Sequence, residues 1–140
     1  MRPMTGLSRL AGLLLYGVAG SSALLAPVVP ATAEEATPAR PAFIALGDFT
    51  INLPGNGDQL SYVVISVTIE AAPEAATDLR ALEPRLKETV MRRLMTMADR
   101  GVLQPGHTDP LVVKQSLLAS LDEEQPHGVR DVLITRLLYG

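Results

Sequence analysis

Residues 43–70 read FIALGDFTINLPGNGDQLSYVVISVTIE. Phe49, Ile51 and Leu53 alternate with Asp48, Thr50 and Asn52, the two-residue period of a strand with one buried face. Pro54-Gly55-Asn56-Gly57-Asp58 follows, and Gly and Asn tolerate the positive φ of a tight reversal. From Leu60 to Glu70 the chain is strongly β-branched, with Val63, Ile65, Val67 and Ile69 on one side. Two such strands across a short Gly-rich turn predict an antiparallel hairpin.

Downstream the period changes from two to about 3.6. Ala71 to Leu82 has a helical composition, with Pro73 near its start and Thr77 or Asp78 as capping residues. Pro84 cannot sit inside a continuous helix but suits a first turn, so a second helix is expected from Pro84 to about Arg100. Leu82, Leu86, Val90, Leu94 and Met97 form one apolar stripe along it, and Arg85, Glu88, Arg92 and Asp99 a separate stripe of alternating charge that reads as solvated. Gly101 is placed to end this helix. Asp109-Pro110 has the form of an N-cap followed by N1, opening a third helix to about Glu123. Leu111, Lys114, Leu118 and Leu121 lie along one side of it, with Val113 and Leu117 beside them. Gln125-Pro126-His127-Gly128 breaks it, and VRDVLITRLLY, Val129 to Tyr139, is a third strand, apolar in part on both faces. The order β-β-α-α-α-β describes an α+β domain with an antiparallel sheet.

Upstream, Arg2 and Arg9 flank a twenty-residue uncharged run, Leu10 to Val29, and Ala31-Thr32-Ala33 precedes Glu34-Glu35. A basic flank, an apolar centre and an A-x-A ending describe a signal peptide cut after Ala33. Twenty apolar residues also reach across a hydrocarbon core of about 30 Å as a retained anchor. Pro27 and Pro30 favour cleavage; the length suits retention. The basic flank stays in the cytoplasm on either reading, so all that follows Ala33 is expected outside the cytoplasmic membrane. The division is a signal anchor or signal peptide at 1–33, a Pro- and Ala-rich linker at 34–42 and a single domain at 43–140, as a chain of 140 residues allows.

Composition narrows the function. Net charge is -3, and removing the first 33 residues leaves ten basic against fifteen acidic side chains, which gives the domain no electrostatic reason to bind nucleic acid. Without cysteine there are no disulfides, thiol nucleophiles or Cys-ligated metals. Aromatic residues make up 4% and Trp is absent, so Leu, Val, Ile and Met build the core. His107 and His127 both sit in polar loops, and a pair of them with Asp109 or Asp131 lacks the i, i+4 spacing of helical metal motifs. Asp122-Glu123-Glu124 reads as a solvated helix end. Gly55-Asn56-Gly57 precedes a strand rather than a helix and so has no helix N-terminus to aim at phosphate. Ser61 and Ser66 have no motif around them. Met91, Met95 and Met97 are of a type that builds adaptable binding surfaces, although Met97 belongs to the apolar stripe. No catalytic, cofactor-binding or metal-binding residue is assigned.

Two segments carry a family resemblance. Leu46-Gly47-Asp48-Phe49-Thr50-Ile51-Asn52-Leu53 is similar to the L-x-x-F-x-V-N-L entrance, and Asp131-Val132-Leu133-Ile134-Thr135-Arg136-Leu137 to the closing D-V-L-F-T-x-F, of the flagellar basal body-associated protein FliL family. Between them lie the hairpin and the helix opening at Pro84, and the resemblance covers roughly residues 43–139. Ile134 and Leu137 stand where the family has aromatics. The chain ends Tyr139-Gly140 where a Gln is common, and Leu118-Ala119-Ser120-Leu121 lacks the family's frequent Asn. The resemblance implies a non-enzymatic protein, single-pass in the inner membrane through residues 10–29. It also implies a periplasmic domain like the SPFH/stomatin core, homo-oligomeric rings, and flagellar stator and basal-body proteins as partners. No cofactor is implied. The other reading is a soluble periplasmic binding module released at Ala33.

Overall fold

A computed structural model describes residues 39–55, 57 and 59–140. The expected leader or anchor at 1–33 and the first part of the linker lie outside these residues. Seven elements follow in order: β1 (Ala42–Leu53), β2 (Ser61–Ala71), a 3-10 turn (Pro73–Ala75), α1 (Ala76–Ala81), α2 (Glu83–Asp99), α3 (Pro110–Glu124) and β3 (Val129–Tyr139). The strands form one antiparallel sheet of order β1-β2-β3, so the hairpin and the closing strand meet in a single sheet with β2 at its centre.

The hairpin differs from expectation in one detail. Leu53 pairs with Ser61, so the connection runs from Pro54 to Leu60 and is longer than a tight turn. Pro54 has no N–H to extend the ladder, and Leu60 is almost wholly exposed beyond the pairing. The sheet buries one face. Ile44, Leu46, Phe49, Ile51 and Leu53 of β1 join Val63, Ile65, Val67 and Ile69 of β2 and Val129 and Val132 of β3 in one core. In β1 the buried positions change from even to odd between Leu46 and Phe49. A β-bulge there places Leu46 and Gly47 opposite Val67, and Gly47 takes φ 97°, which glycine adopts without a Cβ penalty.

α2 packs on β1 and α3 on β3, both from the buried side of the sheet. The predicted stripe of α2 is buried at Leu86, Val90, Leu94 and Met97, with Leu82 partly so, while Arg85, Glu88, Arg92 and Asp99 are exposed. Pro84 lies in the first turn of α2. At the other end the Val102 N–H donates to the Met97 carbonyl and the Gly101 N–H to the Ala98 carbonyl, with Gly101 at φ 70°, which is a Schellman closure. The Asp109 carboxylate caps α3 by accepting the Leu111 N–H at 2.8 Å.

Two local expectations are corrected. Neither Thr77 nor Asp78 caps α1. The helix starts at Ala76 with no side-chain cap, because the preceding 3-10 turn leads straight into it. The buried stripe of α3 is Val113, Leu117 and Leu121, with Leu118 partly covered, whereas Leu111 faces solvent. Positions 113, 117 and 121 are four apart and share a face that Leu111 does not.

Candidate functional site

The residues with chemical potential are dispersed rather than gathered. His107 and His127 are both exposed, one before α3 and one after it. A helix of 15 residues separates them, a rise of about 22 Å at 1.5 Å per residue. His127 has φ 63°, and its N–H donates to the Asp122 carboxylate at 3.1 Å. Asp109 is engaged in capping α3. Asp131 accepts from Lys114 Nζ at 2.8 Å, and that hydrogen bond outweighs the opposing effect of burial and, helped by the Val132 N–H, holds its carboxyl below the usual carboxylate range. Glu124 pairs with Arg85 at 2.7 Å across α2 and α3. The imagined two-His site with Asp109 or Asp131 is therefore not assembled. Among the described residues no group of three or more His, Asp or Glu side chains is placed to hold a metal ion.

The sheet itself offers two surfaces. Its uncovered face carries Phe43, Tyr62 and Leu138, all substantially exposed, with Val64 and Leu133 partly so. At its middle the Ser66 hydroxyl donates to the Asp48 carboxylate, and Arg136 stands 3.9 Å from the other oxygen of Asp48. Thr135 Oγ1 donates to the Ser66 carbonyl at 3.4 Å. Two bulges build this cluster, one at Leu46–Gly47 and one at Thr135, where β3 carries an extra residue between the partners of Ser66 and Val67. Ser66 had no motif to announce it. The only sequence trace of its neighbourhood is the change of apolar parity on either side of Gly47 and Thr135. The cluster fixes polar groups at the middle of a face that mixes apolar side chains with Thr50, Asn52, Thr68 and Glu70, an arrangement suited to a protein contact.

The second surface is the margin of the sheet along β1. A groove of about 180 Å³ is lined by Thr50, Ile51 and Asn52 of β1 and by Met91, Met95, Ala98 and Asp99 of α2. Thr50 and Asn52 belong to one face of the strand and Ile51 to the other, so a groove touched by all three lies at the strand's edge. Met95 is 53% exposed, which makes it the surface methionine of the three that the sequence marked; Met97 is buried and Met91 half-buried.

With this geometry in view, the chain can be set beside known proteins. The family model described as "Flagellar basal body-associated protein FliL" matches residues 43–139, the span from β1 to the end of β3. No curated protein matches the chain.

Proposed function

The chain belongs to the FliL family of flagellar basal body-associated proteins, and on that premise we propose that it supports the stator units of the motor by protein contact rather than by catalysis. The single observation that carries this reading is the match over residues 43–139, which coincides with the whole sheet-and-helix domain. The site geometry supports it. The surfaces on offer are a sheet face with fixed polar groups and a methionine-lined margin, and both are features of contact surfaces.

On the same reading, residues 10–29 hold the chain in the inner membrane with the domain in the periplasm. No helix among the described residues is long and apolar enough to cross a membrane, and the segment 10–29 lies outside them. The domain is of the SPFH/stomatin kind and assembles with copies of itself around the stator. It has no nucleic-acid partner. In-frame deletion tests the role: swimming and swarming should fall while growth and filament number hold, and stator proteins should co-purify with the tagged full-length chain. Unchanged motility in the deletion strain overturns the stator role.

Ala31-Thr32-Ala33, with Pro27 and Pro30 before it, favours the other reading, a soluble periplasmic module. N-terminal sequencing of membrane and soluble fractions separates the two. A mature protein starting at Glu34 in the soluble fraction removes the anchor, and a chain starting in the leader and sedimenting with membranes keeps it.

A further inference from the structure

The groove beside β1 specifies what fits it. Among the described residues β1 has one strand neighbour, β2, so every second N–H and C=O along its outer side is without a ladder partner. From Asp48 to Leu53 the pairing is regular, and the stretch holds no Lys, Arg or Pro to discourage a further strand. A strand laid there would turn alternate side chains toward α2, where Met91 and Met95 are unbranched and polarizable and accommodate varied apolar shapes. One turn further along α2, Asp99 makes no ion pair among the described residues. It stands at the C-terminal turn of α2, whose carbonyl end also favours a cation. Arg100 follows it in the chain but does not line the groove. Met95 and Asp99 are about 6 Å apart along the helix axis at 1.5 Å per residue, and same-face neighbours on a strand are about 6.7 Å apart. For a strand running alongside α2 the two spacings agree.

We infer that the margin of β1 from Asp48 to Leu53 receives an extended segment of a partner protein as an added strand. An aliphatic side chain of that segment rests on Met91 and Met95, and a Lys or Arg two residues along meets Asp99. This rests on the reading that the chain works by protein contact, and names the chemistry of the contact: backbone pairing for affinity, one apolar and one basic side chain for specificity.

The test uses the full-length chain and a labelled ten-residue peptide alternating Thr with Leu, Val and Lys, beside a peptide of the same composition without alternation and one with Glu for Lys. The alternating Lys peptide should bind saturably and at least tenfold more tightly than the non-alternating one. On binding, amide exchange should slow across residues 48–53 and not across 130–138. Asp99→Lys should weaken the Lys peptide severalfold and strengthen the Glu peptide, and Met95→Ser should weaken both. Circular dichroism and urea midpoints close to those of the parent chain confirm that the variants fold. Equal binding of the three peptides, protection appearing at β3, or no binding at millimolar peptide overturns the inference. So does self-association of the chain through β1 that Met95→Ser abolishes, which makes the occupant a second copy. Failure here leaves the motility phenotype of the deletion strain untouched, and normal motility in that strain leaves the peptide result untouched.

Discussion

Among the described residues β1 and β3 are the two edge strands of one sheet, and their outer margins are built to opposite rules. β3 carries bulges at Arg130 and Thr135, and Arg130, Asp131 and Arg136 along its length. Lys114 reaches from α3 to Asp131, and Thr108 in the loop before α3 bonds the Tyr139 hydroxyl. Bulges and charges of this kind discourage a further strand from pairing. β1 has one bulge, at Leu46–Gly47, and then six regular residues whose one charge, Asp48, is engaged by Ser66 and Arg136 on the uncovered face, bordered by methionines. The difference teaches that this sequence defends one edge and leaves the other receptive. A domain that works by binding at a sheet margin needs that asymmetry, since two receptive edges would let copies add without limit.

The largest effects should come from the helices that hold each edge. Leu94 of α2 and Leu117 of α3 are fully buried, on the β1 and β3 sides respectively. Replacing either by Ala should cost about 2–5 kcal/mol, read as a lower urea midpoint. Amide exchange should then separate the two, with Leu94→Ala loosening β1 more than β3 and Leu117→Ala the reverse. Equal loosening of both strands in both variants would mean that the sheet responds as one unit and that its edges are not separately supported.

Next in size is the bulge of β1. A Cβ on Gly47 would meet nothing within 4 Å, so Gly47→Ala tests backbone strain alone. At φ 97° the cost should be about 1–3 kcal/mol. An unchanged urea midpoint would show that the bulge can migrate, and the regular stretch from Asp48 would lose its fixed start. On the β3 side, Asp109→Ala removes the cap of α3 and should lower stability by about 1 kcal/mol. Asp109→Ser, which keeps a capping oxygen, should recover most of that loss.

Legibility in the sequence followed how local each signal is. β1 and β2 could be read because β-branched residues alternate against polar ones, and the starts of α2 and α3 because Pro84 and Asp109-Pro110 are local signals that act through the backbone of their own turn. The buried stripe of α3 was read too broadly, since Leu111 and Leu117 are equally apolar and only packing on β3 decides between them. The cluster of Asp48, Ser66 and Arg136 was not legible, because bulges in two strands far apart in sequence bring it together. Nor was the β1 groove. Met95 could be marked as a residue of the right type, but the strand beside it could not be named before the sheet order was known.

The smallest predicted effect is the most specific to the defended edge. Lys114 and Asp131 are each about one-third exposed, so solvent screens their pair, and its contribution should be about 0.2–1 kcal/mol. The Asp131 carboxyl titrates below its ordinary value because the Lys114 hydrogen bond favours the charged form. A carboxylate depressed in the folded state contributes stability that is complete above its unfolded value, about 3.9, and that fades as pH falls through the lower folded one. The stability gap between the parent chain and Lys114→Met should therefore be constant from pH 7 to about 5 and close below pH 4, and salt should shrink it at neutral pH. A gap that survives at pH 2 would assign the contribution to packing of the lysine stem. If β3 stays closed to the alternating Thr peptide in Lys114→Met, the bulges at Arg130 and Thr135 suffice to defend that edge. If it opens, the defence rests on this one charge pair.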